Sequence, residues 1–192
     1  MDSDLADRRA IDDLMTGWMY RDLGQWDALR ELFHPGGIIE VTWFRGLFTD
    51  FVDASVRMGA SDLRAKHVIA SPVVTFAENR AIAETNVIIA TENPAIELGC
   101  LSHARFYDRV EKRDGTWKIV DRRAIYDMAS FTFPAGPVDI DAAIVAGYPR
   151  EYAAMAYLLD KSGVPLIGVF PTQGSELEAE IKRSGRQWLE QQ

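Results

Sequence analysis

Ile11, Leu14, Met15 and Trp18 recur at three- and four-residue spacing, the mark of one apolar helix face. The pattern predicts a first helix over residues 3–21, with Ser3 or Asp4 as N-cap and acids in the first turn suited to its dipole. One turn beyond Trp18 the same face reaches Asp22, a carboxylate where a core residue is expected. Gly24 ends this run, and Trp26, Leu29, Leu32 and Phe33 predict a second, short helix that stops before Pro35-Gly36-Gly37. Residues 38–44 are rich in β-formers and read as a strand. A third helix is expected from Phe51 to about Ser61.

Four strand-like runs follow, at 67–76, 81–91, 98–111 and 116–128. The links Ala-Glu-Asn-Arg, between the first two, and Lys-Arg-Asp-Gly, between the last two, have the length and residues of hairpin turns. Helices first and an antiparallel meander second make the fold class α+β. Beyond Pro137 the pattern turns helical again. Tyr152, Met155, Ala156 and Leu159 mark one helix, and Ser175-Glu-Leu-Glu178 is a capping box opening another that runs to Trp188 and Leu189. Residues 1–135 are thus expected to form the main domain, and 136–192 a helical extension packed on it or on a partner subunit.

Alternation along each strand assigns its faces. Ile39, Val41, Trp43 and Arg45 share one side of the first strand; His67, Ile69, Ser71 and Val73 share one side of the second. On the last strand Val120, Arg122, Ala124 and Tyr126 alternate with Asp121, Arg123 and Ile125. If these are inner faces, a curved sheet presents His67, Arg122, Tyr126, Trp43 and Arg45 to a space closed by the first helix. Trp18, Tyr20 and Asp22 reach that space from the helix. His103 falls on the opposite face, and His34 reads as a helix-end residue.

Composition narrows the function. The formal net charge of −8 lacks the basic stripe of a nucleic-acid binder. No apolar run is long enough for a transmembrane helix, and the acidic, polar start has no secretory signal, so a cytoplasmic protein is the default reading. Cys100 is the single cysteine; with His103 it lacks the further ligands a metal site needs. No GxGxxG follows a strand, and neither GxxxxGK[ST] nor HExxH occurs, so no cofactor or metal is expected.

Three segments together resemble the SnoaL-like branch of the NTF2-like superfamily: Tyr-x-Asp-x-Gly-x-Trp-Asp-Ala-Leu-x-x-Leu-Phe-His-Pro at 20–35, Lys-His-Val-Ile-Ala-Ser-Pro at 66–72, and Arg-Asp-Gly-Thr-Trp-Lys-Ile-Val-Asp-Arg-Arg at 113–123. That group includes scytalone dehydratase, a hexachlorocyclohexane dehydrochlorinase and polyketide cyclases. The resemblance, over about residues 5–130, implies a cone-shaped α+β barrel: a curved antiparallel sheet around a pocket, closed by N-terminal helices. It implies an Asp–His dyad, with Asp22 in the acid's place and His67 in the base's. It also places Arg122 as a pocket arginine and Tyr126 and Trp43 as wall residues.

A dyad suits proton abstraction, because neutral imidazole accepts a proton near pH 7 only if the correct nitrogen is free. A carboxylate on the other ring N–H fixes that tautomer and stabilises the imidazolium. The expected activity is cofactor-free elimination of water, halide or formaldehyde, or isomerisation, of an apolar, aromatic, oxygenated small molecule, by a homodimer or homotrimer. Plainer readings stand beside it. Asp22 alone could be a cap, Arg122 an ion-pair partner, and Tyr126 and Trp43 simple wall. The alternatives at the level of function are a non-catalytic subunit resembling the β-chain of ring-hydroxylating dioxygenases and a small-ligand-binding module.

Overall fold

The structure is a computed structural model that describes residues 2–191, with side chains described over 5–191. Its N-terminal helices are α1 (Asp2–Thr16), α2 (Met19–Asp22) and α3 (Trp26–Arg30). The expected cap at Ser3 or Asp4 lies outside the described side chains. The one helix expected over 3–21 is two, because the chain turns at Gly17-Trp18. A Cβ on Gly17 would sit 2.6 Å from Leu32 Cδ2, so glycine allows this close approach. The turn frees α2 from the axis of α1 and lets it lie against the sheet.

The strands are β1 (Phe33–Val41), β2 (Phe44–Leu47), β3 (Arg64–Ile69), β4 (Val73–Ala77), β5 (Arg80–Asn93), β6 (Leu98–Arg113) and β7 (Thr116–Thr132). Helix α4 (Phe48–Gly59) joins β2 to β3. All seven strands form one curved, unclosed sheet in the order β2-β1-β7-β6-β5-β3, with β4 also on β5. Its pairs are antiparallel except β1 with β7, which is parallel, because β1 docks on the free edge of the meander.

The strand expected at 67–76 is interrupted. Pro72 has no N–H to give to a ladder, so β3 pairs with the Val87–Glu92 half of β5 and β4 with the Arg80–Glu84 half. Val73, expected inside, is exposed. Two-residue turns close both predicted hairpins: Glu78-Asn79, and Asp114-Gly115 with φ of 48° and 78°, the signs of a type I′ turn.

Helices α5 (Ala142–Val145), α6 (Ala153–Lys161) and α7 (Glu176–Glu190) make up the tail. Residues 153–159 of α6 are all buried, against β6 and β7. Helix α7 covers the outer face, where Ile181, Trp188 and Leu189 pack on Ile82, Tyr107 and Ile125. Ser175 caps it through a bond from the Glu178 N–H, as the sequence predicts. Glu178, however, reaches the Gly174 N–H and Arg105 instead of closing a reciprocal box. Burial pushes its carboxyl up, but those bonds win and hold it at about 2. No helix among the described residues is long and apolar enough to cross a membrane.

Candidate active site

The concave face of the sheet, α2, α4 and α6 enclose a cavity of about 290 Å³. Trp18, Trp26, Trp43, Phe51 and Phe106 give it aromatic walls, with Met155 and Leu159 contributed by α6. An engineered cavity of about 150 Å³ holds benzene, so this space suits a one- or two-ring molecule.

Asp22, the last residue of α2, meets His67, in the middle of β3, on this wall. The His67 Nδ1–H donates to Asp22 Oδ1 at 2.7 Å, and the His67 backbone N–H donates to Oδ2 at 2.6 Å. One carboxylate thus grips both the ring and the backbone of the histidine and fixes the ring's orientation. The two side chains are 1% and 6% exposed. Burial raises the Asp22 carboxyl, but the bonds from His67 pull it to a net position below the ordinary value. Burial also disfavours imidazolium; despite the Asp22 bond, and with Arg21 and Arg122 nearby, the His67 pKa lies below the ordinary histidine value. His67 is therefore neutral at pH 7, with its proton on Nδ1. Nε2 has no hydrogen-bond partner among the described residues and keeps its lone pair.

Tyr126 and Trp43 line the cavity, as does Trp18, whose ring meets the His67 ring edge-on at 6.0 Å. The Tyr126 oxygen accepts the Thr42 N–H at 3.2 Å, and burial pushes its pKa up to about 12. The phenol keeps its proton and can donate it.

Three expected residues sit elsewhere. Arg122 is fully buried and does not line the cavity. Its Nε and Nη2 bind Asp108 at 2.7 and 2.8 Å, and its guanidinium lies against both Trp18 and Phe106, 4.6 and 4.2 Å from their centroids. The cause is register: a bulge at Val120 sets Arg122 opposite Asp108, and Ile119 takes the inner place expected of Val120. Arg45 faces out and pairs with Glu40, because residues 42–43 form a tight turn that resets the alternation. Tyr20 packs against the core without reaching the cavity. His34, expected at a helix end, lies in β1, its Nε2 bonded to the Glu111 carbonyl oxygen at 2.8 Å.

Two lining residues carry polar atoms that the sequence reading passed over. Arg21 Nε and Ser55 Oγ are both buried without a hydrogen-bond partner among the described residues. The adjacency of Arg21 to Asp22 was the available signal.

One curved, unclosed seven-stranded sheet with helices is consistent with the cone fold of the NTF2-like superfamily. The chain belongs to the family of SnoaL-like domains, which matches residues 3–123. A PEP2-like protein of Fusarium vanettenii is 27% identical over 204 residues, spanning 97% of this chain and 87% of its own length. Two crystal structures share the fold. The hexachlorocyclohexane dehydrochlorinase LinA-type3 of Novosphingobium barchaimii has a TM-score of 0.58 at 21% identity, over 73% of this chain and 99% of its own. A candidate scytalone dehydratase of Novosphingobium aromaticivorans has a TM-score of 0.58 at 19% identity, over 72% and 99%.

Proposed function

We propose that the protein is a cofactor-independent lyase or isomerase for a small, largely apolar, aromatic molecule bearing oxygen, with His67 as general base and Asp22 as its orienting partner. The observation that carries this reading is the two-point grip of Asp22 on His67 inside the aromatic cavity. A structural subunit has no need for that arrangement. Two fold neighbours, a dehydrochlorinase and a candidate dehydratase by name, give the elimination reading further support.

In elimination, Nε2 takes a proton from the substrate, and the electron pair left behind expels halide from the adjacent carbon, or hydroxide that leaves as water by taking up the Tyr126 proton. Asp22 stabilises the imidazolium that forms. In isomerisation the same proton returns at another atom. Tyr126, protonated and on the wall, donates to a substrate oxygen as negative charge develops there. Arg122 acts through Trp18, against which it stacks and which in turn meets His67; it is a positioning residue.

The test is turnover by His67→Gln and Asp22→Asn on a panel of aromatic alcohols, diols and halides, followed by chromatography. Positioned general-base catalysis is worth about 10²–10⁴ in rate, so each variant, folded by circular dichroism, should lose roughly that factor. Wild-type turnover in either variant excludes the mechanism.

A further inference from the structure

Resting on the substrate class proposed above, the geometry points to a narrower one: we infer that the ligand carries an anionic group, a carboxylate or its equivalent, held by Arg21 and Ser55.

The chain as a whole is strongly acidic, at −8. The cavity wall reverses that balance: Arg21, Arg64 and His67 are its basic residues, and Asp22 is the one carboxylate among its described lining residues. Both oxygens of Asp22 are occupied by His67. Arg64 is turned toward the rim, where Nη1 donates to the carbonyls of Ser61 and Leu63 at 2.5 and 3.1 Å. Arg21 has no such outlet. No carboxylate among the described residues forms an ion pair with it, and its one hydrogen-bond-like contact is Nη2 to the Met58 sulfur at 3.8 Å. Its Nε is buried and unpaired.

A guanidinium cannot shed its proton to escape this environment. A cation held in apolar surroundings costs free energy unless it is paired, and the half-buried Arg21 has aromatic rings beside it instead, 6.0 Å from the centroid of Trp43 and 5.9 Å from that of Phe51. Burial accordingly pushes its pKa below the ordinary arginine value. Asp22 offsets part of that cost through space, but both its oxygens are committed to His67, so the fork keeps unpaired donors in a cavity that admits a ligand. A carboxylate meets it with two parallel hydrogen bonds.

Ser55 supplies a further donor. It lies one turn before Met58 on α4, on the same helix face that Arg21 touches, and its buried hydroxyl is also unpaired. Aromatic walls, a guanidinium and a hydroxyl together describe an aromatic acid whose ring fills the cavity beside His67.

Calorimetric titration with a matched pair, 1-naphthoate and 1-naphthalenemethanol, tests this without any turnover. Wild-type protein should bind the acid at least about tenfold more tightly than the alcohol. Arg21→Met should erase the preference while keeping alcohol affinity within about twofold, and Arg21→Lys should retain part of it. Equal affinities in the wild type, no measurable binding of the acid, or an undiminished preference in a folded Arg21→Met protein overturns the assignment. The wild-type comparison stands even if a variant fails to fold. Because binding is read apart from rate, failure here is distinct from failure of the His67 and Asp22 variants to lose turnover.

Discussion

At His67 two effects of opposite sign compete. Desolvation disfavours imidazolium, whereas the Asp22 carboxylate favours it; desolvation wins, and the pKa falls below its ordinary value. A group with a lowered basic pKa contributes stability that is fully present above the unfolded value of about 6.5 and is lost as pH falls toward the folded one. The ring is therefore neutral, and ready to accept a proton, across the physiological range. Arg122 is a different case: in the interior Asp108 meets it with two bonds. Removing one partner of such a pair typically costs about 3–5 kcal/mol, since the other charge is left buried and alone. Asp108→Ala should lose about that much in urea unfolding, and the paired change Asp108→Leu with Arg122→Met should recover most of it. A loss below about 1 kcal/mol for Asp108→Ala would show that this ion pair does not hold the floor beneath Trp18. Asp22 was legible because a carboxylate interrupted an apolar face, and His67 because alternation turned it inward. The true setting of Arg122 was hidden, since a single bulged residue, Val120, changes what faces it.

Among the elements, the long hairpin β6–β7 was readable from Asp114-Gly115, and so was the capped start of α7. What periodicity could not supply was the geometry of close approaches. Leu32 lies where a Cβ on Gly17 would be, a close approach that no local pattern records. Gly185 plays the matching role in α7. A Cβ there would overlap the Tyr107 ring, with Cε1 at 2.8 Å, so the helix packs directly on the outer face of the sheet. Overpacking such a contact costs about 1–3 kcal/mol. Gly185→Val should lower stability by that order and raise hydrogen exchange through α7 while leaving amides of β3 and α2 protected. Unchanged exchange in α7 would mean that the glycine is not what seats this helix. The parallel seam between β1 and β7 was likewise invisible, because nothing local says which edge of a meander an earlier strand will join.

In the molecule as a whole, the tail and the main sheet make one object. Helix α6 is buried through most of its length and lends Met155 and Leu159 to the cavity, so the pocket is completed by residues outside the family-matched segment. The tail read as packing surface; its share of the pocket wall depended on a tertiary path that the sequence does not display. Everything proposed about chemistry rests on one enclosed imidazole, neutral and oriented by one carboxylate. Nitrogen-15 NMR of the three histidines reads that state directly. His67 at pH 7 should carry its proton on Nδ1, present an unprotonated Nε2, and titrate below the ordinary value of about 6.5, with the tautomer preference lost in Asp22→Asn. A His67 protonated on both nitrogens at pH 7, or carrying its proton on Nε2, would contradict the proposed chemistry.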